Sequence, residues 1–352
     1  MEPTNSTTAA QQQASSASAH PNISCPIDKH FQRAYLHPFY IFVALASVTG
    51  NAVAIWLFCR VMRPWSAITV FMFNLAVADL LYAFSLPLFA EYYGNDVGWT
   101  FGDAACKACR FAFQLNLCAS IAFITLISAH RCLGVARPHR GAELARDRGH
   151  AWRASAAAWA LLVPLLLPTA YFSRTGYREE RLVCFDTTPD SLLHRFQPYS
   201  LAVTAVGFAL PLAVVLVCYS LIAVALVKSP SIAGHAKART FALLAIVLFT
   251  FSVNFLPYHA LRNLNVAMRL STARGDGFPC PTVRAVYVAY QVSRGLAALN
   301  TCLDPVIYTV ATERVRARIV SQQQQQRRRR LQQQQQQQQG VPRLCLNVLA
   351  AD

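Results

Sequence analysis

Three arginines, Arg110, Arg262 and Arg294, stand inside long apolar stretches, each with polar or aromatic neighbours at helical spacing. His259, Arg262 and Asn265 recur at intervals of three, and Tyr287, Tyr290, Gln291 and Arg294 at intervals of one to four, so each set shares a helix face. Guanidiniums embedded in apolar sequence are costly and mark a polar cavity. Three of them converging with too little acid would repel one another. An anionic ligand resolves this economically, because the planar guanidinium fork grips phosphate or carboxylate oxygens through paired hydrogen bonds. Two other arrangements compete. Each arginine can snorkel to lipid headgroups, and Asp186, in the polar stretch between two apolar blocks, can pair with one of them, either filling the site or exchanging with a ligand as a lid.

A second cluster lies deeper: Asp79, Asn116, Ser120, Asn300 and Asp304. Two carboxylates with amide and hydroxyl oxygens suit a hard cation such as sodium. A proton shared between the two carboxyls, or a proton-relay transporter, would use the same residues.

Positioning these groups falls to seven apolar blocks, near Leu36 to Cys59, Ile68 to Tyr93, Ala105 to Leu133, Trp152 to Phe172, Phe196 to Val227, Ala238 to Leu264 and Val283 to Val310. Each reaches the ~20 residues that a membrane-crossing helix needs. They are too continuous for barrel strands, which alternate in polarity over ~10 residues. The expected fold is therefore an all-α membrane protein, a bundle of seven transmembrane helices. Pro87, Pro168, Pro211, Pro257 and Pro305 interrupt five of the spans, tolerable in lipid as kinks that open a cavity. Composition agrees: 55% of the 352 residues are hydrophobic and 14% charged, against roughly 25% charged in soluble domains. The aromatic content of 11% excludes disorder for the bulk of the chain. The net charge of +16 falls between the apolar blocks and not on one exposed face, so no nucleic-acid partner is expected.

Lys and Arg favour cytoplasmic loops. Arg137, Arg140, Arg146 and Arg148 follow the third span and Arg314, Arg316 and Arg318 the seventh, placing both stretches inside. The sequons at Asn5 and Asn22 agree with an external N-terminus. The organisation expected is an extracellular segment over 1–35, the seven-helix bundle over 36–310, a short amphipathic cytoplasmic helix over 311–321 and a disordered Gln/Arg-rich tail over 322–352. No apolar signal region precedes the first span, which would itself direct insertion. The run Arg327 to Arg330 suits anionic inner-leaflet lipid, or is simply a solvated basic tail. Of eleven cysteines, Cys25, Cys106, Cys184 and Cys280 fall on the outer side and can oxidise there, with Cys109, one turn from Cys106, as a competing partner. The other six are packing residues or free thiols.

The motifs resemble those of rhodopsin-like G-protein-coupled receptors: Gly50-Asn51, Asn74-Leu75-Ala76-Val77-Ala78-Asp79, Cys106, His130-Arg131, Trp159, Pro211, Tyr219, Pro257 and Asp304-Pro305-Val306-Ile307-Tyr308, all in order. More narrowly, Ile127-Ser128-Ala129-His130-Arg131, Cys184-Phe185-Asp186-Thr187-Thr188 and Tyr290-Gln291-Val292-Ser293-Arg294-Gly295 are similar to the metabotropic purinergic nucleotide receptors, in the branch answering ADP and ATP. The resemblance implies disulfides Cys106 to Cys184 and Cys25 to Cys280. It implies phosphate binding by Arg110, Arg262 and Arg294, with Tyr287, Tyr290, Gln291 and Asn265 around the ligand; His259, from the face of Arg262, and Gln114 are further ligand-binding candidates. It implies G-protein coupling at Arg131, of the Gq class acting through phospholipase C, in the plasma membrane. An adenine nucleotide is the ligand expected; a small dicarboxylate such as 2-oxoglutarate or succinate, then a uridine nucleotide, are the alternatives. Gln114 and Cys118 depart from the aromatic residues common at those places, and Arg262 stands where an ADP-responsive relative carries lysine. Cys132 and Phe255 replace a tyrosine and a tryptophan of the family pattern. A retinal protein is excluded, because no lysine follows Lys237. A transporter is disfavoured by the lack of an internal repeat, and an enzyme by the lack of a nucleophile-base pair or metal motif. No cofactor beyond the sodium ion is expected.

Overall fold

The computed structural model describes residues 29–136, 148–178, 181–229 and 234–311. In hydrocarbon the backbone must bond to itself, and each apolar block is helical. The first span is α1 (Lys29–Arg60). The second is α2 (Ala67–Ala83) followed by α3 (Leu86–Gly94), and the third is α4 (Gly102–Ala136). The fourth joins α5 (Arg148–Leu166) to α6 (Pro168–Phe172). A π-turn over Ala205–Ala209 links α7 (Leu193–Thr204) to α8 (Leu210–Lys228) in the fifth. A second π-turn, Phe251–Phe255, links α9 (Gly234–Thr250) to α10 (Leu256–Arg274) in the sixth, and α11 (Cys280–Ala311) is the seventh. Among the described residues six spans are long and apolar enough to cross a membrane by length and composition. α11 is as long, but Arg284, Gln291, Arg294, Asn300 and Asp304 dilute its apolar character.

Proline explains the breaks. Lacking an N–H, it is harmless at the first turn of a helix, and α3, α6, α8 and α10 each carry one there: Pro87, Pro168, Pro211 and Pro257. The two π-turns immediately precede Pro211 and Pro257 and absorb the mismatch as a widened turn. Pro38, Pro164 and Pro198 also lie within helices, beyond the five prolines expected. The sixth span runs ten residues past the expected end at Leu264, because α10 continues as a half-buried amphipathic helix until Gly275 caps it at φ 101°. The loop before the fifth span is not plain coil. It holds an antiparallel hairpin, β1 (Thr175–Arg178) with β2 (Arg181–Cys184), in the register Thr175 opposite Cys184.

The third span is central, packed against the second, fourth and fifth. Polar pins fix the bundle. Asn51 Nδ2 donates to the Thr301 carbonyl at 2.9 Å, and Trp159 Nε1 to Asn74 Oδ1 at 3.0 Å. Gly50 lets the first and seventh spans close up, since a Cβ there would stand 3.1 Å from Pro305. The hairpin is tied down at one end of the bundle by the Cys106–Cys184 disulfide, by Thr175 N–H donating to Asp103 at 2.9 Å, and by Trp99 N–H donating to the Leu182 carbonyl at 2.8 Å. Cys280 is also disulfide-bonded. Its expected partner Cys25 lies outside the described residues, with Asn5, Asn22, the arginines at 137, 140 and 146, the juxtamembrane helix expected beyond Ala311 and the tail.

Candidate functional site

Beneath the hairpin, β2 delivers its next residues into the bundle mouth. The disulfide pins Cys184 to the third span, so Asp186, two residues on, reaches the arginines of spans three and seven. Arg110 Nη2 lies 2.8 Å from Asp186 Oδ1 and donates to the Cys184 carbonyl at 2.9 Å. Arg294 donates from Nη1 to the same carboxylate oxygen and from Nη2 to the Tyr93 hydroxyl. Gln291 Nε2 donates to the other oxygen at 2.6 Å. Aromatic faces complete the cradle: Phe89 lies 4.6 Å from the Arg110 guanidinium and Tyr93 5.5 Å from that of Arg294. Burial alone would raise the Asp186 carboxyl, but the guanidiniums of Arg294 and Arg110 outweigh it and hold the group well below the usual carboxylate range. The expectation that Asp186 pairs with one arginine is thus exceeded, since it bridges two.

Arg262 is different. It is 3% exposed and reaches neither Asp186 nor any other carboxylate among the described residues. Its guanidinium lies 5.3 Å from the Phe196 ring, and Nη1 has no hydrogen-bond partner there. One turn away, His259 stacks on Phe208 at 4.7 Å with Nδ1 3.3 Å from Thr204 Oγ1, while its Nε2 is buried without a partner. Among the described residues one carboxylate serves the three guanidiniums, shared by Arg110 and Arg294 and not reached by Arg262, which leaves two positive charges of the buried mouth uncompensated there.

The floor is set by Gln114, which donates from Nε2 to Cys118 Sγ at 3.5 Å and accepts from the Tyr258 hydroxyl at 3.3 Å. Tyr290 is buried against Tyr258, Asn265 is buried on the Arg262 helix, and Tyr287 accepts from Gln32 Nε2 at 2.6 Å. Sequence reasoning missed Tyr93, Phe89, Phe196, Phe208 and Tyr258, which carry no charge to mark them. It also missed Arg269, beyond the expected end of its span. Arg269 grips Thr187 Oγ1 at 2.9 Å, the Thr188 carbonyl at 2.9 Å and Asp190 at 2.5 Å, tying the segment after Asp186 to the sixth span.

The fifth-span π-turn approaches this floor through Gly207, where a Cβ would stand 3.0 Å from Cys118 Sγ. Gly207→Ala is expected to lower the thermal stability of the purified receptor by about 1–3 kcal/mol, the usual cost of overpacking, and Cys118→Ala should restore most of it. An unrescued double variant would place the strain elsewhere.

In the deep cluster the structure forms two polar pairs. Asn116 Nδ2 donates to Asp79 at 2.8 Å and Asn300 Nδ2 to Asp304 at 2.9 Å, with Ser120 fully buried. Toward the far end, Arg131 lines a cavity with Tyr219, whose hydroxyl accepts from Ser128 at 3.0 Å.

Residues 50–308 match the family described as 7 transmembrane receptor (rhodopsin family). The chain belongs to this family. Within it, purinoceptor 1 of Meleagris gallopavo is 40% identical over 309 residues, covering 86% of this chain and 83% of the relative. Purinoceptor 1 of Homo sapiens is 39% identical over 312 residues, 87% and 82% of the two chains. Purinoceptor 2 of Homo sapiens is 40% identical over 295 residues, 83% and 77%. The protein is a rhodopsin-family receptor of the purinoceptor group. It is a multi-pass plasma-membrane protein that signals through a heterotrimeric G-protein, and it is not an enzyme.

Proposed function

We propose that the receptor is switched on by an extracellular adenine nucleotide, ADP or ATP, and couples through Gq-class G-protein to phospholipase C and calcium release. The observation that carries the ligand class is the uncompensated charge of the mouth, above all the buried Arg262 Nη1 without a partner among the described residues. The names of the similar receptors support a purine ligand. The disulfide at the hairpin end supports an extracellular placement, since such bonds persist in that oxidising compartment, and with it an external N-terminus. Phosphate oxygens take Arg262 and displace Asp186 from Arg110 and Arg294, with Gln291 and Tyr93 as further donors. The base lies toward Gln114, His259, Tyr290, Tyr287 and Asn265. Drawing spans three, six and seven together outside shifts the population toward a form in which the sixth span swings at Pro257 and opens the cytoplasmic face around Arg131.

One observation favours a second ligand class. The group already seated between Arg110 and Arg294 is a carboxylate, so a dicarboxylate fits the same cradle. The test is cytosolic calcium in receptor-null cells expressing this chain, challenged with ADP, ATP, UDP, UTP, 2-oxoglutarate and succinate. The adenine nucleotides are expected to respond. A response to the dicarboxylates alone would replace the ligand, and silence despite surface expression would remove the coupling.

The deep cluster is proposed as a sodium site. Ser120 Oγ, Asn300 Oδ1 and Asp304 Oδ1 are buried oxygens without hydrogen-bond partners among the described residues, a donor set that fits a small hard cation. Asp79 and Asp304 supply the charge, Asn116 and Asn300 orient them, and the ion stabilises the resting bundle. Sodium is expected to weaken agonist binding severalfold in the parent receptor, a coupling within the usual ~5- to 150-fold range, and to have no effect in Asp79→Asn. Equal sodium dependence in both would remove the site.

A further inference from the structure

We infer that His259 presents a hydrogen-bond acceptor to the ligand, and that Thr204 and Asn263 are the positioning residues that make it one. The mouth thereby selects a ligand that brings an N–H or O–H donor and rejects an anion made only of acceptors. His259 does this within the nucleotide site proposed above, a reading on which the inference rests, and it adds a demand that negative charge alone does not meet.

Four side chains between the fifth and sixth spans form a hydrogen-bond chain with one direction. The His259 carbonyl can only accept, and Asn263 Nδ2 lies 2.9 Å from it, which fixes the amide with its nitrogen on that side. Nδ2 gives its other hydrogen to Thr204 Oγ1 at 2.8 Å, while Asn263 Oδ1 accepts from Ser200 Oγ at 2.6 Å. Thr204 Oγ1 donates its single hydrogen to the Ser200 carbonyl at 2.9 Å. Its contact with His259 Nδ1 is longer, 3.3 Å, and there the hydroxyl oxygen has only a lone pair to offer. Nδ1 therefore carries the ring proton, and in the neutral ring the other nitrogen, Nε2, is an acceptor.

Nε2 is buried without a hydrogen-bond partner among the described residues. The ring is held face-on to Phe208 at 4.7 Å and edge-on to Tyr258 at 5.3 Å. Three residues on, along the same helix face, Arg262 Nη1 is a buried donor in the same condition. One turn of α10 therefore offers the ligand an acceptor beside a donor. Succinate or 2-oxoglutarate, ionised at both carboxyls, answers Arg262 and leaves Nε2 unpaired. Stranding a buried polar group in this way lowers affinity by about fivefold to 150-fold. An adenine nucleotide answers both, because its base amine and its two ribose hydroxyls are donors while its phosphates accept. Specificity of this kind comes from the penalty placed on the wrong ligand.

The test is competition against radiolabelled ADP on the full chain in lipid nanodiscs, which reads binding without a G-protein. The competitors are ADP, purine riboside diphosphate with hydrogen in place of the amine, 2′-deoxy-ADP and 3′-deoxy-ADP. In the parent receptor one of the last three is expected to bind about tenfold or more weakly than ADP, and which one it is identifies the donor. That difference should vanish in His259→Phe, which removes the acceptor, and in Thr204→Val, which lets the proton move to Nε2. Thr204→Ser keeps the hydroxyl and should restore the ratio of the parent. A residue that merely holds the helices together would weaken all four ligands alike and leave their ratios unchanged. Stabilisation by ADP against thermal unfolding shows which variants fold, and His259→Phe decides the matter where Thr204→Val does not fold. Equal binding of all four ligands in the parent, or a ratio undiminished in either folded variant, would overturn the role of His259 and leave the adenine reading standing. Binding of succinate or 2-oxoglutarate, with no saturable binding of ADP, would overturn both.

Discussion

Replacing Arg294 with alanine is expected to lower agonist potency by about thirty- to several-thousandfold, the 2–5 kcal/mol typical of truncating a buried charged partner. Surface expression should stay near that of the parent. Arg294 is 2% exposed and donates to both Asp186 and the Tyr93 hydroxyl, so its removal takes away a preorganised donor pair that a phosphate would otherwise inherit. Expression survives because Asp186 keeps Arg110 and Gln291. Arg262→Ala should cost a similar factor by a different route. Arg262 makes no contact with Asp186, so hydrogen exchange over Phe185 to Thr188 should be unchanged in Arg262→Ala and faster in Arg294→Ala. Concentration–response curves in cells matched for surface receptor decide the matter. Full potency in Arg294→Ala would remove phosphate binding from that residue whatever the ligand proves to be.

The convergence of the arginines is legible because charge inside apolar sequence is rare and energetically costly. Arg110, Arg262 and Arg294 announce a polar mouth before any contact is known. Their division of labour is not legible. Helix faces place all three near one another, but whether a loop carboxylate reaches them depends on how the hairpin is pinned. That pinning combines the Cys106 disulfide, the Asp103 contact to Thr175 and the Arg269 grip on Thr187, Thr188 and Asp190. These are contacts between segments 72 to 82 residues apart, invisible to any local pattern. The hairpin itself escapes for a similar reason: four-residue strands give too little alternation to read. The aromatic walls escape because Phe89, Phe196 and Phe208 look like ordinary lipid-facing or packing residues until a guanidinium or an imidazole is found against them. By contrast the pairing of the deep carboxylates with amides is readable, since two aspartates in separate spans must find polar partners or not be there at all.

Asp186→Ala should move two quantities in opposite directions. The unliganded receptor should lose stability, by about 3–5 kcal/mol if the two arginines are left facing each other unpaired, and agonist potency should rise about tenfold or more because the ligand no longer competes with an internal carboxylate. Thermal unfolding with and without agonist reads both, and the agonist-induced shift should widen. If stability and potency fall together, Asp186 positions the ligand instead of standing in for it. Acid offers no substitute for the mutation. The native Asp186 carboxyl lies below its unfolded value of ~3.9, so its stabilising contribution is complete above that value and is lost only as pH falls through the lower, native one. Between pH ~6 and ~8 the carboxylate stays charged and the lid contact is constant. Any change in potency across that window must come from another group, and a terminal phosphate, with its second ionisation near ~6, is the group the proposed ligand brings. The same pH dependence should therefore appear in the parent receptor and in Asp186→Ala, displaced in concentration but unchanged in shape, whereas 2-oxoglutarate, ionised at both carboxyls across the window, would show none.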